Sequence, residues 1–239
     1  MKRPRMLIGA AVLATALAGS VAVVTQASAA SDVKVTKSIQ VTGTFDGGGK
    51  RYIGSGDLGS GGQAEGQDPL FKLANGATLS NVILGSPAAD GVHCSGSCNL
   101  KNVVWQDVGE DAATFRGTNA TVVIDGGSAN SASDKVFQDN RGSGGSVTIK
   151  NFKVSNFGKL YRSCGNCSTQ AGRKVTIQNL TATSGKVIAG VNTNYGDVAR
   201  LSGLNIGSIS PCWLYTGNNT GAEPPKTGSG PNGRNCIVS

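Results

Sequence analysis

The stretch Ile149-Lys150-Asn151-Phe152-Lys153 places apolar residues on both sides of an asparagine, and related segments recur along the chain. The other five are Leu79-Ser80-Asn81-Val82-Ile83, Leu100-Lys101-Asn102-Val103-Val104, Val123-Ile124-Asp125, Ile177-Gln178-Asn179-Leu180 and Leu201-Ser202-Gly203-Leu204. Counted from Asn81 through Asn102, Asp125, Asn151 and Asn179 to Gly203, the steps are 21, 23, 26, 28 and 24 residues. Strand-like repeats of roughly 20 to 30 residues are typical of solenoid proteins.

Each repeat is too short to bury its own apolar residues, so the core would come from stacking successive repeats. Asparagine at one corner of each coil tolerates a left-handed backbone conformation and can hydrogen-bond to the coils above and below. A helical repeat fits less well, because no helical period persists for about ten residues. We therefore predict an all-β, single-domain solenoid, a parallel β-helix; a β-sandwich is the alternative, which the regular step disfavours.

The composition excludes several other classes of protein. Glycine makes up 36 of the 239 residues, about twice its usual share, while charged residues make up 15% and aromatic residues 5%. Collagen needs a strict glycine period, and a coiled coil or a charged disordered chain needs more charge. Short strands with tight corners agree with this composition, and the chain is long enough for one sizeable core.

Residues 1–30 have the features of a secretory signal peptide. Lys2, Arg3 and Arg5 precede an apolar stretch, and Ala27-Ser28-Ala29 supplies a small-residue cleavage site. A membrane anchor is the alternative, since the apolar run is about 18 residues long. We expect residues 31–239 to be the mature domain, exported to the outside of the cell. Cleavage would remove three cations and no acids, which lowers the formal net charge from +8 to +5.

A mildly basic mature chain fits an anionic partner. It has no basic run and few aromatic residues to stack on bases, so we expect neither nucleic-acid binding nor, after cleavage, membrane association.

All six cysteines lie in the mature part. In an exported chain an even number of cysteines predicts disulfides, although the short spacings within 94–98 and 164–167 also allow a zinc site. A bond between Cys212 and Cys236 would tie down a loop-like C-terminal tail that starts at about residue 216. The pairing of the other four cysteines stays open.

A set of acidic residues at a fixed distance from the repeat positions predicts a metal site. Asp90, Asp111 and Asp134 each follow a repeat position by nine residues, so stacked coils would align them about 4.8 Å apart, with Glu110 alongside. Carboxylates this close repel one another, and a bound divalent cation would relieve the repulsion. Oxygen ligands favour Ca²⁺ over Zn²⁺. A solvated row of turn-forming aspartates is the alternative.

Cations follow the acidic residues in the later repeats. Lys135 is next to Asp134, and Lys159 and Arg162 come one coil further on. A metal site beside cationic side chains suits a ligand that carries carboxylates, although the cations could merely neutralise the acids. His93, the only histidine, we expect to be a packed or corner residue. The pattern favours proton abstraction next to a carboxylate, with a lysine base whose pKa is lowered by surrounding cations.

Several longer segments of the sequence resemble a known protein family. They are Gly61-Gly62-Gln63-Ala64-Glu65-Gly66-Gln67-Asp68-Pro69-Leu70-Phe71, Pro87-Ala88-Ala89-Asp90-Gly91-Val92-His93-Cys94, Asp107-Val108-Gly109-Glu110-Asp111-Ala112-Ala113-Thr114-Phe115, Ala132-Ser133-Asp134-Lys135-Val136-Phe137-Gln138, Gly158-Lys159-Leu160-Tyr161-Arg162-Ser163-Cys164-Gly165-Asn166-Cys167 and Asn192-Thr193-Asn194-Tyr195-Gly196-Asp197. Together they resemble polysaccharide lyase family 3, the compact pectate lyases, over roughly residues 40 to 210. The resemblance implies a right-handed parallel β-helix and Ca²⁺-dependent β-elimination on polygalacturonate, with 4,5-unsaturated oligogalacturonides as products.

The resemblance also implies residue roles. Asp90, Glu110 and Asp111 would be the calcium ligands, and Lys135 the base that takes the C5 proton. Arg162 would also be the second candidate for the base. The remaining site residues would bind substrate: Lys159, Arg162, Glu65 and Asp134.

A lyase would work best at alkaline pH, where a lysine is more often neutral, and would lose activity with EDTA. The alternatives are a polygalacturonase-like hydrolase and a non-catalytic β-helical pectin-binding protein. We expect a monomer.

Overall fold

The computed structural model describes residues 32–239, so the predicted signal peptide lies outside the described part. Seventeen strands form one continuous sheet in this part, with short 3-10 helices at Gly56–Leu58 and Thr193–Tyr195. The strands are β1 Val33–Val35, β2 Ile39–Val41, β3 Thr44–Asp46, β4 Arg51–Gly54, β5 Phe71–Leu73, β6 Ala77–Ser80, β7 Ile83–Leu84, β8 Val92–Cys94, β9 Cys98–Trp105, β10 Ala113–Phe115, β11 Thr121–Asp139, β12 Ser146–Ser163, β13 Lys174–Asn192, β14 Val198–Asn205, β15 Ser210–Tyr215, β16 Lys226–Ser229 and β17 Cys236–Val238. Among the described residues, no helix is long and apolar enough to cross a membrane.

The strands stack in register as three parallel faces. Face 1 contains β1, β4, β7 and the later part of β9; face 2 contains β2, β5, β8, β10 and β15; face 3 contains β3, β6, the start of β9 and the start of β14. The long strands β11, β12 and β13 bend around the corners and contribute to all three faces. This confirms the predicted right-handed parallel β-helix.

The core follows the apolar positions of the predicted repeat. One buried column on face 3 consists of Leu79, Leu100, Ile124, Ile149, Ile177 and Leu201. Aromatic rings add to the stack between coils, with Trp105 edge-on to Phe137 at 5.8 Å between ring centroids. The first coil, formed by β1 to β3, could not be predicted from the sequence, because strands of three residues carry too little pattern to recognise.

The corner between face 3 and face 1 departs from the prediction at one coil. Asn81, Asn102, Asn151 and Asn179 have left-handed backbone conformations there, as expected. In the third repeat the corner residue is Gly126, with φ +71°, because Asp125 pairs with Lys101 inside the strand.

Asp125 still takes part in the row of corner side chains. Gly126 has no side chain to offer, and Asn151 Nδ2 donates to Asp125 Oδ1 at 2.8 Å instead. Elsewhere the row is continuous, since Asn102 Nδ2 donates to Asn81 Oδ1 at 3.0 Å and Asn179 Nδ2 to Asn151 Oδ1 at 3.2 Å.

A β-bulge interrupts β11 just before it joins face 2. Ala132 pairs with Phe157, but Lys135 pairs with Lys159, so one extra residue of β11 lies between the two pairs. A Cβ atom on Gly158 would lie 2.3 Å from the carbonyl oxygen of Asp134. Only glycine therefore fits opposite the bulge. Lys135, not Asp134, lies level with Asp111, because the register shifted at Gly126 is kept as far as the Ala113–Phe137 pair; this corrects the predicted aspartate column.

All six cysteines form disulfides, Cys94–Cys98, Cys164–Cys167 and Cys212–Cys236, which excludes a cysteine zinc site. The C-terminal tail is less loop-like than predicted. Within it, β16 pairs with β15 and β17 pairs with β14, so the tail is held by backbone hydrogen bonds as well as by its disulfide.

A buried ionic network stiffens the coils behind face 2. The Asp139 carboxylate accepts two hydrogen bonds from the Arg141 side chain, at 2.9 and 2.8 Å, and one from the Tyr161 hydroxyl at 2.6 Å. Arg173 Nε donates to the Arg141 carbonyl oxygen at 2.7 Å. Asp139 and Arg141 are fully buried, and pairing with hydrogen bonds is the condition on which buried charges are tolerated.

Candidate active site

The outer side of face 2 carries a row of polar side chains across consecutive coils. Each of these residues pairs with the next one in the following coil: Lys72, His93, Thr114, Gln138 and Arg162. The alternate positions point inward and are apolar or packed, as in Phe71, Val92, Phe137 and Tyr161. These outward side chains line a cleft of about 720 Å³.

In each of four coils, the residue three positions before the first row also lines the cleft and forms a second row. Its members are Asp90, Asp111, Lys135 and Lys159, whose register follows from the backbone hydrogen bonds of the adjoining residues and the Lys135–Lys159 pair. Every site residue proposed from the sequence lines this cleft: Glu65, Asp90, Glu110, Asp111, Asp134, Lys135, Lys159 and Arg162. Four further polar residues of the cleft could not be predicted from the sequence, because lone polar residues in or directly after strands carry no motif: Lys72, Arg116, Gln138 and Asn140.

Three carboxylates form a compact buried cluster at one end of the cleft. Asp90, Glu110 and Asp111 each present an oxygen, and these oxygens lie within 4.8 Å of one another. Oδ1 of Asp90 and Oδ1 of Asp111 are buried without a hydrogen-bond partner. A cluster of oxygen donors with unsatisfied lone pairs fits a hard divalent cation such as Ca²⁺. Asp134 lies outside this cluster, with its side chain 47% exposed.

The electrostatics of the cluster agree with that fit. Burial, together with the hydrogen bond and the charge of Asp90, raises the pKa of Glu110 to about 7. Burial also raises the pKa of Asp111 well above its ordinary value, and the neighbouring carboxylates act in the same direction although Lys135 opposes them. Glu110 and Asp111, which resist ionisation, therefore have more to gain from a bound cation than separate acids would.

Asp90 is held in place by a turn and by His93. Ala89 has φ +49° and Gly91 has φ +52°, and a Cβ atom on Gly91 would lie 2.2 Å from the carbonyl oxygen of Ala112. His93 Nε2 lies 2.6 Å from Asp90 Oδ2, and both side chains are buried. His93 is thus a packed residue, as expected, but its contact with Asp90 was missed because the sequence does not show which way the ring points.

Lys135 lies where the acidic cluster meets the cationic residues. Its Nζ is 3.4 Å from Glu110 Oε1, 3.7 Å from Asp111 Oδ1 and 3.1 Å from Asp134 Oδ2. Burial acts to lower the pKa of Lys135, but the three carboxylates outweigh burial and raise it. The expectation of a lysine pKa lowered by nearby cations is therefore wrong, because the register of β11 places Lys135 among acids.

Asp134 joins two lysines. Its Oδ2 accepts from Lys135, and its Oδ1 forms an ion pair with Lys159. Because Asp134 belongs to the bulge, it projects beside Lys135 instead of on the opposite side of the strand. These contacts lower the pKa of Asp134, although burial acts against them.

Arg162 follows Lys159 on β12 and lines the same cleft. Its Nη1 donates to Asn192 Oδ1 at 3.0 Å and to the carbonyl oxygen of Ser163. Burial lowers the pKa of Arg162. Glu65 lies on the opposite rim, in an exposed loop, and its charge adds to the raised pKa of Glu110.

Comparisons with known proteins agree on one family. The family model described as pectate lyase matches residues 22–221. A probable pectate lyase E from Neosartorya fischeri is 50% identical over 208 residues, covering 85% of this chain and 80% of that protein. Pectate lyase E from Emericella nidulans is 49% identical over 195 residues, covering 80% of this chain and 75% of that protein.

Solved structures give the same result. The catalytic domain of pectate lyase PelI from Erwinia chrysanthemi matches with a TM-score of 0.73 and 34% identity, covering 87% of this chain and 97% of that one. PelI in complex with tetragalacturonic acid matches with a TM-score of 0.70 and 33% identity, covering 86% of this chain and 68% of that one.

Proposed function

The chain belongs to the pectate lyase family, and from this membership we propose that it cleaves de-esterified polygalacturonate by calcium-dependent β-elimination. The products would be 4,5-unsaturated oligogalacturonides. The observation that carries the proposal is the arrangement of the cleft, where Lys135 lies between a buried carboxylate cluster and two further cations, Lys159 and Arg162.

Asp90, Glu110 and Asp111 would hold the calcium ion. When bound there, calcium would engage the uronate carboxylate and make the neighbouring C5 proton more acidic. Glu110 and Asp111 also lie next to Lys135, so their neutralisation would remove part of the attraction that raises its pKa, while Asp134 remains.

Lys135 is the proposed base. Its neutral Nζ takes the proton from C5, the electron pair of that C–H bond forms the C4–C5 double bond, and the C4–O bond breaks. The leaving sugar's oxygen keeps the C4–O electron pair and takes a proton from solvent. Asp134 supports this role, since its carboxylate fixes the amines of Lys135 and Lys159 side by side.

Arg162 and Lys159 are proposed to bind substrate carboxylates. A guanidinium offers two parallel donors to a carboxylate, and a lysine offers a point charge. Glu65, on the rim, would contact sugar hydroxyls. The tetragalacturonic acid bound in the related PelI structure supports an acidic oligosaccharide as the ligand of this fold.

The test is to mix the purified protein with polygalacturonate and Ca²⁺ and to follow the ultraviolet absorbance of the new C=C bond. We expect absorbance to rise and EDTA to abolish the rise. Reducing ends without absorbance would indicate a hydrolase instead, and binding without either signal would indicate a pectin-binding protein.

We also propose that the protein is exported and acts as a monomer outside the cell. The support is the predicted signal peptide in residues 1–30 and the disulfides, which form in oxidising compartments. The mass of the secreted protein would test the cleavage site, and sedimentation would test the oligomeric state.

A further inference from the structure

Tyr215, at the end of β15, lies against Arg162. The Arg162 Cζ atom is 4.0 Å from the centroid of the Tyr215 ring, which is the geometry of a cation–π contact. Both residues are almost fully buried, Tyr215 at 5% and Arg162 at 6% exposed. The contact joins residues far apart in sequence, and no motif of the chain pointed to it.

The remaining surroundings of Arg162 leave its guanidinium few other positions. A Cβ atom on Gly165 would lie 2.2 Å from Arg162 Nη2, and one on Gly190 would lie 2.8 Å from Arg162 Cδ. Two glycines therefore make room for the side chain, and Asn192 fixes one nitrogen. The Tyr215 ring closes the face that is left.

Arg162 is held without an ionic partner. Among residues 32–239, no carboxylate oxygen lies within 4.0 Å of its guanidinium, in contrast to Arg141 and Lys135. An aromatic face attracts the cation without neutralising its charge, whereas a carboxylate would compete with an anionic ligand. The charge of Arg162 thus stays available to the cleft.

We propose that Tyr215 is a positioning residue for Arg162: its ring holds the guanidinium in the cleft with the positive charge free for a substrate carboxylate. This inference rests on the proposed function of the cleft. The inference also gives the C-terminal region a role. Tyr215 comes shortly after Cys212 of the Cys212–Cys236 disulfide, and the carbonyl oxygen of Tyr215 accepts a hydrogen bond from Thr193 Oγ1. Pro224 of the tail lines the cleft beside Gly165.

Binding measurements in a Lys135→Ala background test the proposal without turnover. Titration calorimetry with tetragalacturonate in the presence of Ca²⁺ would compare Tyr215→Leu, which keeps apolar bulk but removes the ring, with Tyr215→Phe, which keeps the ring face. We expect Tyr215→Leu to weaken binding about 3- to 30-fold and Tyr215→Phe to change it less than about twofold.

A double-mutant cycle separates positioning from a structural role. Arg162→Gln alone should weaken binding, and adding Tyr215→Leu to it should cause little further loss, because the ring then has no cation to hold. Equal loss from Tyr215→Leu in both backgrounds would overturn the proposal. Equal loss from the Phe and Leu variants would overturn it as well. If Tyr215→Leu does not fold, Tyr215→Met fills the space with an adaptable side chain and replaces it.

A measurement without ligand distinguishes failure of this inference from failure of the proposed function. In the nitrogen-15 NMR spectrum, the Arg162 side-chain Nε–H signal, identified by its loss in Arg162→Gln, should be shifted by the Tyr215 ring in the wild-type protein. It should move to the position of an ordinary arginine in Tyr215→Leu. An unmoved signal rejects the contact, whereas absence of tetragalacturonate binding by the parent Lys135→Ala protein rejects the proposed function.

Discussion

Lys135 shows how much a single side chain depends on its neighbours in this protein. It is mostly buried, and within 4.0 Å of its amine lie carboxylates from two other positions of the cleft and from the adjacent residue. A buried ammonium is tolerated only with such partners. The same contacts fix the amine between the carboxylates of Glu110 and Asp111 and the cationic side chains of Lys159 and Arg162.

Lys135→Ala should lower kcat about 100- to 10,000-fold, the usual contribution of a general base, with the fold intact. The absorbance assay with polygalacturonate measures this effect. Lys153→Ala, at an exposed position of β12, is the matched control and should keep full activity. Substantial activity of Lys135→Ala together with complete loss in Arg162→Lys would assign the base to Arg162 instead.

Gly158 is a second position where one residue determines the site. A methyl group there would collide with the Asp134 carbonyl oxygen at 2.3 Å, so Gly158→Ala must displace the bulge that carries Asp134 and Lys135. We expect a destabilisation of about 1–3 kcal/mol and a marked loss of activity. Gly43→Ala, where a new Cβ meets nothing within 4 Å, is the control. Urea unfolding and the absorbance assay together report both effects, and an active, stable Gly158→Ala would contradict the role given to the bulge.

At the scale of the element, successive coils turn this corner through a left-handed residue, and where that residue is asparagine its side chain bonds to a neighbouring coil. Asn151 has φ +55°, donates to Asp125 and accepts from Asn179. Because these bonds run along the stack, they help to keep successive coils in register. The row tolerates Gly126 because the neighbouring Asp125 supplies the missing oxygen.

Asn151→Ala should destabilise the protein by about 1–2 kcal/mol, since it loses two hydrogen bonds and puts alanine, which tolerates the left-handed conformation less well than asparagine, at this corner. Asn151→Gly keeps the backbone conformation and should cost less. Urea denaturation midpoints compare the two variants. A glycine variant as unstable as the alanine variant would show that the side-chain row, not the backbone, carries the effect.

The same elements explain what could be predicted from the sequence. The face 3 column from Leu79 to Leu201 was readable because its inward positions are apolar in every coil. The one-residue shift of Asp125 and Asp134 could not be predicted, because the corner residue of that coil is Gly126, and a glycine leaves no periodic signal. Contacts such as His93 with Asp90 and Tyr215 with Arg162 depend on side-chain direction, which spacing alone does not encode. The residue types of the site could be found, but not their register.

For the whole molecule, the buried carboxylate cluster links stability to pH. In the metal-free protein the pKa of Glu110 rises from its ordinary value of 4.5 to about 7, so the folded state binds this proton more tightly than the unfolded state. The resulting stability is present below about pH 4.5 and is lost as the pH rises through about 7. Glu110 alone accounts for about 3 kcal/mol on the scale of 1.36 kcal/mol per pKa unit.

Calcium should reverse this trend, because it binds the ionised carboxylates of the folded state only. We expect EDTA-treated protein to unfold at a lower temperature at pH 8 than at pH 5.5, and added Ca²⁺ to raise the unfolding temperature most at pH 8. Differential scanning calorimetry measures both. Glu110→Gln should flatten the pH trend and lose most of the response to Ca²⁺; an undiminished response in that variant would argue against Glu110 as a ligand.

The C-terminal strands β16 and β17 have a consequence for the length of the solenoid. A stack of parallel coils ends in a row of unpaired amide and carbonyl groups, onto which another molecule could add its own strands. Here β15 and β14, the strands of the last coil, already pair with β16 and β17. The tail thus acts as a terminator of growth at that end of the stack. It lets a protein built by repetition have a definite end instead of templating a fibre.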